Sequence, residues 1–321
     1  MDNLTTTTQV DPGVATFYDR VLLKRALPYL VYNKFAQTRD IPGKSGNTVK
    51  FRRYSAMTVA TTPLTEGITP PGQQLAKTDL TAQVAFYGDF VHITDVVDLT
   101  VEDAVLTEAA EIEGEQCGQT LDILIRDVLM ACASVTQATG GSNGKTPTEI
   151  SEAAVLAVTK VLRAANARYI TEVITASDGV GTSPIPASFW AISHTDLDDS
   201  WAGLTHWQGT HQYPRQMTIL DAELGALPNA KVRVLSSTQG HVDTTTTPDT
   251  YKTAIIGKDA YGITRIASLT VKNIVKAFGS GGTSDPLDQR ATSGWKASFT
   301  GRILNDAFVN LLVASNKAGS G

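Results

Sequence analysis

The sequence contains little cysteine, little charge and no long apolar run. Only two of its 321 residues are cysteines, and charged residues make up 18% of the chain. No run approaches the roughly 20 apolar residues of a membrane-spanning helix. Residues 1–8 lack the basic and apolar regions of a secretory signal. We therefore expect synthesis in the cytosol, where Cys117 and Cys132 stay reduced.

The usual motifs of catalysis and cofactor binding are also missing. The chain has no dinucleotide-binding GxGxxG, no phosphate-binding Walker loop and no CxxC pair. His206 and His211 are five positions apart, so on a helix they would not share a face on which to bind a metal. We therefore assign no catalytic, metal-binding or cofactor-binding residue, and we expect no cofactor and no enzymatic activity.

A possible cation site surrounds His194, because three acids follow it closely. A short helix capped by Thr195, with acids in its first turn, explains the same residues without a metal, and we favour that interpretation. His92 lies in an alternating segment and is interpreted as a packed strand residue. A soluble metal-dependent hydrolase that uses the region 194–211 is the less favoured alternative. The three acids are Asp196, Asp198 and Asp199.

Positive and negative charges are concentrated in different segments. The formal net charge of −5 argues against a dedicated nucleic-acid binder, which usually has a basic surface. Residues 19–53 nevertheless carry +7, and residues 95–127 carry −9. These segments could pair within a subunit or between neighbours, or they could be two solvated faces. The proposed intersubunit contact residues are Arg20, Lys24, Arg25, Lys50, Arg52, Arg53, Glu66, Glu102, Asp103, Glu108 and Glu111.

Residues 41–94 are predicted to form a long two-stranded ribbon. Residues 48–59 and 80–96 have the alternation of extended strands, and a stretch rich in Thr, Pro and Gly separates them. A structureless loop of that length is unusual inside a compact domain, and a single two-stranded ribbon is marginally stable alone. We therefore expect the ribbon to lie on a neighbouring subunit. The proposed hinges are Gly43, Gly46 and Gly88.

Helices and short strands are predicted after the ribbon, which makes the fold class α+β. Residues 101–136 have apolar groups at three- and four-residue steps, which predicts one long helix with these positions facing inward: Val101, Val105, Ile112, Leu121, Leu124, Val128 and Val135. Gly114 and Gly118 near the middle of this helix predict a bend. A second helix is predicted at 149–167, with these residues facing inward: Ile150, Ala154, Val158, Val161, Leu162 and Ala165. Further predictions are a short helix at 195–203, strands at 170–176, 189–193, 231–236 and 253–257, and returning strands within 294–314.

Three stretches resemble the major capsid proteins of tailed bacteriophages, specifically the N4-type family. The most specific lies near the C-terminus, with SDPLDQR at 284–290, GWKASF at 294–299 and ILND at 303–306. The second runs from FRRY at 51–54 to TPLTEGITP at 62–70, and the third is IGKDAYG at 256–262. The resemblance covers nearly the whole chain in order.

The resemblance implies a Hong Kong 97-like major capsid fold. Such a fold would have an N-terminal arm at 1–40, an extended ribbon loop at 41–94 and a peripheral domain with a long spine helix at 95–170. An axial α/β domain would follow at 171–282, and residues 283–321 would return to the peripheral domain. In such shells the ribbon lies across the adjacent subunit, which explains the overlong loop.

The implied function is that of a major capsid protein. Copies would assemble in the host bacterial cytoplasm into hexamers and pentamers of an icosahedral shell, the virion capsid, which encloses double-stranded DNA without sequence specificity. The implied partners are further copies of the chain, a separate scaffold protein, a portal and a decoration protein, with no membrane. Certain relatives form a Lys–Asn crosslink, for which Lys77 and Asn305 are the nearest candidates, but we do not expect it here. A cellular nanocompartment shell of the same fold is the alternative.

Overall fold

The architecture is described from a computed structural model of the chain. The residues it describes are 30–64, 66–69, 72–96, 105–142, 144, 146–170, 187–213, 220–267, 269–281 and 285–316. The side chains of 105–107 lie outside this description as well. Of the helices in these ranges, none has the length and apolar character needed to cross a membrane.

Strands dominate the described part of the chain. The helices are α1 (Val105–Met130), α2 (Glu152–Ala164) and α3 (Asp198–Ala202). The strands are β1 (Gln37–Ile41), β2 (Thr48–Tyr54), β3 (Lys77–Gln83), β4 (Ala85–Thr94), β5 (Val135–Gln137), β6 (Phe189–His194), β7 (Gln208–Gly209), β8 (Glu223–Leu227), β9 (Val232–Ser237), β10 (His241–Asp243), β11 (Thr250–Ile256), β12 (Tyr261–Ile266), β13 (Val271–Lys276), β14 (Arg290–Ile303) and β15 (Val309–Ser315).

The first sheet is organised around the 14-residue strand β14. The first part of β14 lies between β13 and β4, and its last residues pair with β12, which pairs in parallel with β1. The inner side chains of β14, Trp295, Ala297 and Phe299, pack in one apolar cluster with α1. This packing of a long helix on a sheet positions the assembly surfaces described below.

Helix α1 confirms a long helix but differs from the prediction in its end and its buried face. It stops at Met130, and Val135 lies in β5 instead of extending the helix. Ile112, predicted to face inward, is 60% exposed, whereas the carboxyl-bearing Glu113 and Asp122 are buried. The inward stripe includes Leu121, as predicted, but several of its other members are small side chains, which a choice of large apolar positions misses. Its members are Ala110, Gly114, Cys117, Gly118, Leu121, Ile125 and Leu129.

The second sheet is buried on both faces. Its strands follow the order β5-β15-β11-β6-β9-β8-β7, and β10 pairs with β11 outside this order. Along β6, Trp190 and Ile192 join the cluster that contains α1, whereas Phe189 and Ala191 join a second cluster that contains α2. Because both faces are covered, the central strands of this sheet are buried along nearly their whole length rather than at alternate residues.

Helix α2 covers the second sheet and begins with a conventional cap. The Ser151 hydroxyl accepts a hydrogen bond from the backbone N–H of Ala154 at 3.3 Å. Val155, Val158 and Leu162 are fully buried against the sheet. Val161, predicted to face inward, is 46% exposed instead, because it lies one residue outside the stripe that these three side chains define.

One strand prediction needs correction, and the strands predicted within 294–314 are confirmed as β14 and β15. The predicted strand 80–96 is divided at Val84: β3 pairs with β2 in the ribbon, whereas β4 pairs with β14 in the first sheet. The returning segment is also divided, because β15 lies between β5 and β11 of the second sheet. Each division sends neighbouring residues to different sheets, and local alternation does not reveal such long-range pairing. The strands predicted at 189–193, 231–236 and 253–257 are confirmed as β6, β9 and β11.

Candidate assembly surfaces

The base of the β2–β3 ribbon is attached to the body of its own subunit. Phe51 is 7% exposed, and a Cβ at Gly262 would approach its ring to 3.1 Å, so the absence of a side chain at 262 makes room for this ring. Arg53 Nη1 donates to Asn305 Oδ1 at 2.6 Å and to the Leu304 carbonyl at 3.4 Å. Ala82, on the opposite strand, is buried as well.

The tip of the ribbon, by contrast, has no cover in this subunit. We define the ribbon tip as residues 55–64, 66–69 and 72–76, all of which are exposed. Its large apolar side chains are 53–80% exposed. Soluble monomers seldom expose several large apolar side chains close together, so this cluster is unusual for an isolated subunit. Glu66 is its only charged residue. The exposed apolar members are Met57, Val59, Leu64, Ile68 and Leu75.

The two arginines of the ribbon, unlike Lys50, make polar contacts within their own subunit. Arg52 faces Asp79 directly across the ribbon, and its Nε lies 2.9 Å from Asp79 Oδ1. This hydrogen bond lowers the pKa of Asp79 and raises that of Arg52. Lys50 faces the neutral Thr81 and is exposed. Arg52 and Arg53 therefore have partners other than the acidic helix, and Lys50 is the clearest test of pairing between subunits.

The acidic segment is only partly described. Glu108 is exposed on α1, and Glu111 is partly exposed. The predicted contacts Glu102 and Asp103, like the arm residues Arg20, Lys24 and Arg25, lie outside the described residues. Two acids of the same segment point inward instead: Ser293 Oγ donates to Glu113 Oε2 at 2.7 Å, and the backbone N–H of Tyr32 donates to Asp122 at 2.8 Å. Burial raises the pKa of both carboxyls.

The three proposed hinge glycines lie in different environments. Gly43 and Gly46 lie in the turn between β1 and β2, and Gly46 has a φ of +87° with open space around it. Gly88 lies inside β4, paired with Lys296, and a Cβ there would lie 2.5 Å from the Trp295 carbonyl oxygen. Gly88 thus permits close approach of two strands, and the structure gives no support to a hinge at this position. For Gly43 and Gly46 the hinge stays a prediction.

A groove with aromatic walls crosses β4, β13 and β14. Phe86 and Phe90 are 54% and 60% exposed, and Ile274 of β13 is 39% exposed. Lys276 and Lys296 are exposed at the same groove, and Lys296 Nζ lies 5.5 Å from the centroid of the Phe86 ring. We call this surface the aromatic groove. This groove could not be predicted from the sequence, because alternation alone does not say which face of β4 is covered.

The histidines that suggested a metal site have ordinary structural roles. His194, not the predicted Thr195, caps the following turn, since its Nδ1 accepts the Asp196 N–H at 3.1 Å. His206 Nδ1 lies 2.9 Å from Glu152 Oε2 at the start of α2. His92 is exposed rather than packed. Across the described ranges, no group of three or more His, Cys, Asp or Glu side chains is arranged to hold a metal.

Comparisons with known proteins identify the architecture. No family model matches the chain, and no curated protein matches it by sequence. Solved structures do match: the capsid of the cyanophage P-SCSP1u has 12% sequence identity and a TM-score of 0.60, and the match covers 90% of this chain and 89% of that one. The head of the Helicobacter pylori bacteriophage KHP40 has 11% identity, a TM-score of 0.61 and coverage of 88% of both chains.

A virus-like particle from Pyrococcus furiosus is also similar. It has 10% sequence identity and a TM-score of 0.50, and the match covers 94% of this chain and 99% of that chain. All three likenesses span most of the chain. The chain therefore has the Hong Kong 97-like capsid fold, of α+β class, that the sequence resemblance predicted.

Proposed function

We propose that this chain is the major capsid protein of a tailed bacteriophage. Copies form hexamers and pentamers of an icosahedral shell, the virion capsid, assembled in the bacterial cytoplasm around double-stranded DNA that is bound without sequence specificity. The observation that carries the proposal is the match to phage capsids and heads over about nine tenths of the chain. The exposed apolar ribbon tip supports it, because a surface of this kind is typical of an interface. The N4-type group, a separate scaffold, a portal and a decoration protein are the finer parts of this proposal.

Particle size tests the proposal directly. The chain is expressed alone and together with the scaffold protein of the same genome, and the products are examined by size-exclusion chromatography and negative-stain microscopy. Megadalton shells of uniform diameter are expected. Monomers or small oligomers under both conditions, from a chain that is folded by circular dichroism, would contradict the capsid function.

The ribbon tip of a neighbouring copy is the proposed occupant of the aromatic groove. Both surfaces are apolar and exposed, and their charges favour contact: Glu66 is the only charge of the tip, whereas two cations, Lys276 and Lys296, and one acid, Asp89, line the groove. Burial of both surfaces would be favourable at about 25 cal/mol per Å² of apolar area. Because many such contacts repeat around a closed shell, individually weak interactions become effective together.

A charge exchange tests whether the basic ribbon pairs with the acidic helix of a neighbour. Lys50→Glu is expected to reduce the yield of particles, since it brings a like charge to the acidic α1, and Glu108→Lys in the same chain is expected to restore it. Lys160→Glu, at an exposed position on α2, is the matched control, because it changes the net charge by the same amount but lies away from the ribbon. Normal assembly of Lys50→Glu would exclude this pairing.

A cellular shell of the same fold is the second candidate. The similarity to the Pyrococcus furiosus particle favours it over unrelated alternatives. The contents of particles purified from the native source distinguish the two: nuclease-resistant DNA of uniform length supports a phage head, and a single enclosed protein without DNA supports a cellular compartment.

A further inference from the structure

Asp122 is a fully buried carboxyl at the contact between α1 and the segment that precedes β1. It is 0% exposed, and one of its oxygens, Oδ1, accepts the backbone N–H of Tyr32 at 2.8 Å. The other oxygen, Oδ2, is buried and has no hydrogen-bond partner among the described residues. A carboxyl that is half satisfied in an apolar setting is costly when charged, so the site is sensitive to its protonation state.

The segment that packs on Asp122, residues 30–36, is held by apolar contacts and by hydrogen bonds to its backbone, mainly at Tyr32, with the Val31 backbone also favouring the ionised form of Asp122. Val31, Tyr32 and Phe35 are buried in the same apolar cluster as α1. Asp122 binds the N–H of Tyr32, and the fully buried Tyr261 of β12 donates its hydroxyl to the carbonyl of Tyr32. Asp122 and Tyr261 thus hold both polar groups of a single peptide residue from opposite sides. We call this arrangement the Tyr32 clamp.

The charged groups that face the clamp come from three elements. Lys34 lies on the same turn as Tyr32, and Arg126 lies one turn further along α1; both favour the ionised form of Asp122. Arg126 is engaged with Asp127, which lies 2.7 Å from it, and with the Gln239 carbonyl. Tyr32 and Tyr261 are buried, which raises their pKa values well above the ordinary value and keeps both phenols neutral. Asp122 is therefore the group in the clamp that changes charge near neutral pH.

We propose that Asp122 makes the attachment of residues 30–36 to α1 dependent on pH, so that the Tyr32 clamp is strongest when the carboxyl is protonated and weakens as the pH rises. Release of the segment would return the carboxyl to water. The proposal concerns a contact within one subunit, so it does not depend on the capsid function.

The direction follows from the two protonation equilibria. Burial, the largest cause, raises the pKa of Asp122 from 3.8 to about 7 in the clamped state. Between these values the clamped form holds a proton that the released form has lost, so each unit of rising pH favours release by about tenfold. Below pH 3.8 both forms are protonated, and above about pH 7 both are ionised, so the dependence disappears outside this window.

Hydrogen exchange of the full-length chain between pH 5 and pH 8 tests the clamp. The variant Asp122→Asn retains the shape and an acceptor oxygen but cannot ionise. At each pH the protection of the amides at 31–36 is compared between wild type and variant, so that the pH dependence of chemical exchange cancels. We expect wild-type protection relative to the variant to fall about tenfold per pH unit up to about pH 7 and then to level off.

Controls separate the clamp from general effects. Glu108→Gln removes one exposed carboxyl from the same helix and should follow the wild-type profile. Within each sample, the amides of β15 provide a reference with no such carboxyl beside them. If Asp122→Asn does not fold, the wild-type ratio of protection between residues 31–36 and β15 still has to fall across the same window. A ratio that is constant with pH, or parallel profiles for wild type and Asp122→Asn, would overturn the proposal.

Discussion

The β2–β3 ribbon and the β11–β15 pair have the same backbone pairing and opposite surroundings. Each is an antiparallel pair with seven residue positions in register. In β11 six of the seven residues are buried, whereas in β2 only Phe51 is. The backbone hydrogen bonds are thus alike in number, and the two pairs differ in what covers their side chains.

This contrast shows that packing, not pairing, distinguishes the stable part of the molecule from the projecting part. A hydrogen bond exchanged with water contributes only about 1 kcal/mol net, so seven pairs do not secure a ribbon by themselves. The β11–β15 pair obtains its cover from α2 and from the rest of its own chain. The ribbon is packed against its own subunit only at its base. In the proposed shell, a second copy packs against the ribbon tip.

The largest effect is expected from a cavity in the β11–β15 pair. Ile255 is 0% exposed and packs between the sheet and α2. Ile255→Ala should lower the free energy of unfolding by about 2–5 kcal/mol, because it removes buried methyl groups and leaves a void. Urea denaturation of the full-length chain measures the change.

Leu64→Ala in the ribbon tip is the matched comparison for this variant. Leu64 is 78% exposed, so its truncation should leave subunit stability within about 0.5 kcal/mol of wild type. The contrast would be broken if both variants lowered the stability of the isolated subunit equally.

An intermediate effect is expected at the ribbon base. Phe51→Ala removes the ring that covers Gly262, and loss of its burial should cost about 1.5–3 kcal/mol. Hydrogen exchange should locate the loss in β2 and β3 while β11 and β15 keep their protection. A uniform loss across both sheets would show that the ribbon base belongs to the cooperative core, and the distinction between the two regions would then be wrong.

The smallest effect is expected from the exposed pair across the ribbon. Arg52→Ala removes the contact with Asp79, but water and ions screen such pairs and they stabilise little. The urea midpoint should therefore not change measurably, and Asp79→Ala should behave in the same way. The pKa of Asp79 should return towards its ordinary value in Arg52→Ala, and a pH titration of that carboxyl would show it.

The sequence allowed the long helix, the ribbon strands and the α+β class to be predicted, since each depends on local periodicity. The run from 48 to 54 alternates as a strand should, and α1 has helical spacing over most of its length. The fold itself came from the resemblance of motifs in the sequence, of which GWKASF and ILND form part of β14 and the turn that follows it. These features were accessible because neighbouring residues in the chain determine them.

The remaining features depend on residues that are distant in the sequence. Glu113 and Asp122 are buried because Ser293 and Tyr32 approach them from other elements, and a residue-by-residue pattern assigns acids to the surface. The separation of β3 from β4 and of β14 from β15 likewise depends on partners chosen across the fold. The aromatic groove was missed for the same reason, since exposure of Phe86 and Phe90 follows from which face of β4 meets α1.

The C-terminal end of α1 has a consequence for how the subunit can change shape. The helix lies along β14 of the first sheet, but the residues that follow it are fastened to β15 of the second: Cys132 Sγ donates to the Val309 carbonyl, and Asn310 Nδ2 donates to Ser134 Oγ. Tilting one sheet against the other would break these contacts. We therefore expect the two sheets to move as one rigid unit when the curvature of an assembly changes. Changes in orientation should then occur in the ribbon and in the segment before β1.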